Sequence, residues 1–134
     1  MNTYSKLAAA ALAASVLLPD VVLAQSTYFT VACLHNQTKY TIRYSDSQND
    51  GRFTPSSLTP GQTMTYSLKY SRANQRRPLK VIVRYDADGS SGRFSRDIRL
   101  QGYSSTGESC REGKQYAFRP EPRDGRMIRI VTID

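Results

Sequence analysis

Between Leu79 and Leu100 the chain alternates in a way that leaves few folds open to it. Leu79, Val81, Val83 and Tyr85 are interleaved with Lys80, Ile82 and Arg84. After the polar stretch Asp86-Ala87-Asp88-Gly89-Ser90-Ser91-Gly92, the apolar residues Phe94, Ile98 and Leu100 return with charges between them. Successive strand side chains point to opposite faces, so a period of two buries one face and wets the other. The Gly-rich connection reads as a turn. The stretch predicts a β-hairpin, apolar on one face and rich in Arg and Lys on the other. Two residues break the pattern. Arg96 falls on the apolar parity, which predicts a bulge, a sheet rim, or pairing with an acid such as Asp97 in a displaced register. Ile82 falls on the charged parity, where it marks a partner contact or a covered sheet.

The same design recurs along the chain. Strands are expected at 27–34, 38–45, 62–70, 79–85, 93–100, 115–119 and 127–133. Tyr40, Ile42 and Tyr44 share one face against Lys39, Thr41 and Arg43, and Met64, Tyr66, Leu68 and Tyr70 share another. In Leu58-Thr59-Pro60-Gly61, Pro fixes φ and Gly accepts positive values, and Asp124-Gly125 is a hairpin signal. Pro120 and Pro122 end the strand at 115–119. Seven short strands without a convincing amphipathic helix make the fold class all-β, an antiparallel β-sandwich of immunoglobulin-like size. The chain has no Trp, so the buried Trp of true immunoglobulin domains has no counterpart and only the architecture is expected. Tyr40, Tyr44, Tyr66, Tyr70, Tyr85 and Tyr116 take inward positions as core and sheet-edge residues, each with a hydroxyl that needs a partner.

Residues 1–24 read as a secretory signal peptide: Lys6, the apolar run from Leu7 to Leu18, Pro19, and Val22-Leu23-Ala24 before Gln25. The run is too short to span a bilayer, and Asp20 interrupts it. One domain is expected at 25–134, periplasmic or extracellular, with no transmembrane segment. The chain has 19 basic and 11 acidic residues; Lys6 and Asp20 leave with the signal peptide, so the balance stays at +8. Fourteen of the basic residues are Arg, whose planar fork suits carboxylate and phosphate. Cys33 and Cys110 are the only cysteines, and an even count in an oxidising compartment predicts a disulfide between them.

Charge gives the leading functional expectation. Lys39, Arg43, Lys69, Lys80, Arg84, Arg93 and Arg99 fall on outward parities, and Arg72, Arg76 and Arg77 cluster in one loop. Such a basic face attracts an anionic polymer, an anionic membrane surface or an acidic protein partner. The competing reading is a solvated face that guards sheet edges. A second class is a protein-binding or inhibitor-type domain acting through loops 46–53 and 72–78. A third is a small calcium-dependent or hydrolytic enzyme. His35 is the only histidine, no G-x-S-x-G elbow is present and no third group is visible to orient a base, so no catalytic residue is assigned. Asp86 and Asp88 before Gly89 resemble the opening of a calcium loop, to which Asp46 and Asp50 would add oxygens. The distal Glu is missing, and Asp and Gly are also ordinary turn formers. One His and two bonded Cys cannot make a typical zinc site, and no cofactor is expected.

Three short patterns carry a resemblance: Cys33-x-x-Asn36-x-Thr38-x-Tyr40-x-Ile42-x-Tyr44, Leu58-x-Pro60-Gly61, and Val83-Arg84-Tyr85-Asp86. Together they resemble small exported bacterial modules of unknown function, sometimes attached to larger secreted or signalling proteins. The resemblance implies a β-sandwich and a bacterial envelope location. It carries over no active-site residue.

Overall fold

A computed structural model describes residues 26–89 and 92–133; the expected signal peptide lies outside the described residues. Among the described residues nine strands form, in chain order β1 (Tyr28–Asn36), β2 (Ile42–Gln48), β3 (Thr54–Leu58), β4 (Thr63–Tyr70), β5 (Val81–Asp86), β6 (Ser95–Leu100), β7 (Tyr103–Ser105), β8 (Lys114–Pro120) and β9 (Ile128–Ile133). The expected seven become nine because β3 and β7 carry almost no hydrophobic alternation. β3 is Thr-Pro-Ser-Ser-Leu, with only Leu58 buried, and it is an edge strand, where the missing N–H of Pro55 costs least. β7 has three residues and lies against β1. A Cβ on Gly102 would sit 2.5 Å from Thr30 Cγ2, and one on Gly113 2.8 Å from Val31 Cγ1, so glycine permits this close approach to β1.

The strands make two sheets. The first has the order β4-β1-β8-β9, with β7 also paired to β1, and the second has the order β3-β2-β5-β6. All pairs are antiparallel except β1–β8, which is parallel, a correction to the wholly antiparallel expectation. The hairpin from Leu79 to Leu100 forms as β5–β6, with Val81 opposite Leu100 and Val83 opposite Ile98. Arg96 stands in regular register opposite Tyr85, without a bulge, on the rim strand of its sheet. Its acid is Glu121, at 3.0 Å, because Asp97 points to the other face and pairs with Arg84.

One core joins the two inner faces. Ala32, Leu34 and Tyr66 of the first sheet pack with Ile42, Tyr44, Val81, Val83 and Tyr85 of the second, around Phe118. The Phe118 ring lies 5.7 Å from Tyr44 and meets Tyr85 edge-on at 5.4 Å. Five of the six tyrosines expected inside are buried; Tyr40 is 55% exposed. It misses the core because residues 38–41 are drawn out of β2 by Asn36. That side chain is buried, donates to the carbonyls of Tyr40 and Leu58, and accepts from the N–H and hydroxyl of Thr38. All the polar capacity of one amide is thereby used to staple β1, the 37–41 connection and β3. Asp46, expected in a loop, is instead a β2 residue facing inward and buried. It accepts hydrogen bonds from the Tyr66 hydroxyl at 2.8 Å and from Ser56 at 3.3 Å. Cys33 and Cys110 are disulfide-bonded as expected, tying segment 106–113 onto the outer face of the first sheet. That bond suits an oxidising compartment. Among the described residues no helix is long and apolar enough to cross a membrane.

Candidate functional site

The ten cations expected to bind an anion do not share a face. Arg43, Lys80, Arg84 and Arg99 lie on the outer face of the second sheet, with Ile82 between Ser47 and Arg99. Ile82 is only partly buried, and its outward-facing neighbour Ser47 is buried with its hydroxyl donating to the Gly51 carbonyl, so the 49–53 loop folds against this part of the face. Two of the four charges are matched. Lys80 Nζ is 3.0 Å from Asp50, and Arg84 grips its cross-strand partner Asp97 through Nε at 2.8 Å and Nη2 at 2.9 Å. The Arg84 guanidinium also lies 4.0 Å from the Phe53 ring centroid. That hydrogen-bonded guanidinium holds the Asp97 carboxyl below the usual carboxylate value. The groove on this face, about 800 Å³ and lined by Arg43, Ser45, Ser57, Arg84 and Asp86, is shallow, and its central arginine is already engaged.

The rest scatter. Lys69 is opposite Phe29 on the outer face of the first sheet. Lys39 and Arg93 sit in connections at the end where β1 and β5 finish. Arg72, Arg76 and Arg77 lie at the opposite end, in the 71–80 connection between β4 and β5. Among the described residues the three ion pairs involve Lys80, Arg84 and Arg96, and none involves Arg72, Arg76 or Arg77.

Three clefts border this connection. One of about 480 Å³ runs between Arg76, Arg77 and Leu79 on one side and Gln101 to Ser104 on the other. A second, about 380 Å³, is lined by Lys69, Tyr70, Gln75 and Arg77. The third, about 220 Å³, joins Arg76 to Tyr28, Tyr70 and Glu112. The first two fall within the ~300–1,000 Å³ usual for ligand sites. The Tyr28 and Tyr70 rings stack with centroids 5.7 Å apart, and Tyr103 is 51% exposed with Lys114 Nζ at 5.5 Å from its ring. The connection is anchored by the Thr30 hydroxyl, which donates to the Arg77 carbonyl at 3.0 Å. Glu112, the acid of the third cleft, is occupied by the backbone N–H of Thr106 and by the hydroxyls of Ser105 and Thr106. These hold its carboxyl below the usual value, the backbone bond contributing most. Tyr28 and Tyr103 are additions that the alternation of charges did not single out; the one sequence signal for Tyr103 was an aromatic inside a Gly/Ser-rich stretch.

Loops 46–53 and 72–78 were expected as protein-binding loops, and they converge at this end. Only 49–53 is loop, since Asp46 to Gln48 belong to β2. Asn49 N–H donates to the Lys80 carbonyl at 2.7 Å, and Asp50 pairs with Lys80. The structure does not bring Asp46 and Asp50 to Asp86. Asp86 uses its carboxylate on the N–H groups of Asp88 and Gly92, closing the β5–β6 turn. Asp50 is at the other end, Asp46 faces the core, and among the described residues no three metal-ligating side chains group together. His35, half-buried, is hydrogen-bonded through Nδ1 to Thr63 at 2.6 Å and through Nε2 to Gln115 at 3.0 Å. Both partners are neutral, and they tie β4 and β8 to β1. No protein-family model, no curated protein and no solved structure matches this chain.

Proposed function

We propose that this chain is an exported, non-enzymatic β-sandwich module that takes an anionic polymer at the end where the 71–80 connection meets β7. One observation carries the reading. Arg76 and Arg77 line adjoining clefts without a carboxylate partner among the described residues, and the rings of Tyr28, Tyr70 and Tyr103 lie beside them. Guanidinium groups next to flat apolar rings suit a chain that repeats an anion on a planar or ring-shaped unit, such as an acidic glycan or a nucleic acid. The disulfide and the signal-like residues 1–24 support export. A second reading, an acidic protein partner, is favoured by the contacts of Asn49 and Asp50 with Lys80, which bring the 49–53 loop beside the 71–80 connection.

Salt-dependent retention on heparin and DNA columns tests the first reading. The Arg76→Ala/Arg77→Ala double variant is expected to elute earlier, with the slope of log affinity against log salt reduced by about 2. An Arg43→Ala/Arg99→Ala variant is expected to elute close to the wild type. Equal losses in both variants would return the site to a diffuse basic surface. Wild-type elution no later than a charge-matched control would sink polyanion binding altogether.

A further inference from the structure

A pair of cations stands on the outer face of the first sheet, at the end away from Arg76 and Arg77. Arg119 of β8 and Arg129 of β9 are directly opposite in the antiparallel register. Their neighbours Phe118 and Ile128 face the core, so both guanidinium side chains leave from the outer face. Two like charges directly opposite on a sheet repel. Nothing among the described residues relieves that repulsion, since neither arginine has an ion pair. The nearest acids in sequence among the described residues are engaged: Glu121 with Arg96, and Asp124 with the N–H of Arg126. Arg119 Nε donates to Gln37 Oε1 at 2.6 Å, which fixes that side chain. Arg129 Nε is buried and has no hydrogen-bond acceptor.

A guanidinium donates and never accepts, so the missing partner is an acceptor. A negative acceptor held between the two guanidinium groups would remove the repulsion. Two neighbouring guanidinium forks match an oxyanion through paired N–H···O bonds. We infer that Arg119 and Arg129, with Gln37 steadying the former, form a binding site for a phosphate or sulfate group. The site differs in kind from the end clefts: two charges on directly opposite cross-strand positions receive one group.

The test is a titration of the full chain, labelled with nitrogen-15, following the Nε–H resonances of Arg119 and Arg129. Inorganic phosphate and inorganic sulfate are added at constant ionic strength, with chloride as control. Phosphatidylcholine vesicles with and without phosphatidylglycerol form a separate arm. Both resonances are expected to shift with one shared saturation curve. Arg129→Gln is expected to weaken binding about tenfold or more, the loss of a tightly held charge-assisted pair. Arg76→Ala/Arg77→Ala is expected to leave the curve unchanged, so failure at one site is separable from failure at the other. Saturation by inorganic phosphate assigns a free ion, and saturation only with phosphatidylglycerol vesicles assigns a headgroup. Absence of saturation in every arm, the same shifts with chloride, or a curve that survives Arg129→Gln in a variant with wild-type signal dispersion would overturn the site.

Discussion

Asp46 and Tyr66 show how much one buried polar contact decides. The Tyr66 hydroxyl is 1% exposed at the residue level and donates to the Asp46 carboxyl at 2.8 Å across the gap between the sheets. Burial, and then the neighbouring Tyr44 hydroxyl and the Asp46 carboxyl, push the Tyr66 hydroxyl well above the usual tyrosine value. Tyr66→Phe keeps the ring but leaves the carboxyl with Ser56 as its remaining side-chain donor. A loss of about 2 kcal/mol is expected in urea unfolding, since an unsatisfied buried group costs its full desolvation. Alkaline pH provides the second readout. A raised folded value means that Tyr66 contributes stability in full below the unfolded value near pH 10, and loses it as pH rises through the folded value. The wild type is therefore expected to weaken steeply above about pH 10, and Tyr66→Phe less so. Matching slopes for the two proteins would show that Tyr66 is not the group responsible.

At the level of strands, legibility followed the hydrophobic period. β4 and β5 were plain because each repeats apolar residues at every second position, as Met64, Tyr66, Leu68 and Tyr70 do. β3 and β7 were missed because serines, a proline and one buried leucine carry no such period. The 38–45 strand was placed early. Its first residues do alternate, but they are held by Asn36 instead, a side-chain contact that a period cannot report. In the pattern Asn36-x-Thr38-x-Tyr40 the side chains of Asn36 and Thr38 form this staple, while Tyr40 and Leu58 enter it through their backbone carbonyls. Cross-strand charge was half-legible: Arg84 was read as outward, and its bond to Asp97 followed only from the register. Because the pair is half-exposed, Asp97→Asn is expected to lower Tm by no more than about 3 °C at pH 7 and low salt. A lowered folded value gives stability that is present above the unfolded value near pH 4 and fades as pH falls through the folded value. The difference between variant and wild type should therefore shrink below about pH 4, and in high salt at any pH. A gap that persisted at pH 2 would assign the loss to packing against Phe53 or to the backbone instead.

Across the whole molecule, hydrophobic alternation specifies strands more readily than their partners. Alternation says which residues share a face, not which strand lies alongside, so the parallel β1–β8 pair and the split of the basic residues between two faces and two ends emerged only with the topology. The disulfide was the one long-range contact readable in advance, because two cysteines allow a single pairing. It spans 77 residues. In the chain-entropy account a loop of that length stabilises by about 4.5 kcal/mol, a large part of the ~5–15 kcal/mol of a typical domain. The Cys33→Ala/Cys110→Ala variant is expected to lose close to that amount in urea unfolding. Cys33 is fully buried in β1, while Cys110 belongs to the segment that covers it. Without the bond, 106–113 keeps its polar contacts, such as Ser67 to Glu108 and Ser105 to Glu112, but loses its covalent anchor. Hydrogen exchange is then expected to rise first in 106–113 and in β7, while the β5–β6 hairpin, paired in the other sheet, stays protected. A loss well under 2 kcal/mol would mean that the unfolded chain is already compact enough for the cross-link to restrict little. Uniform loss of protection across both sheets would mean that the bond holds the two sheets together and not one segment.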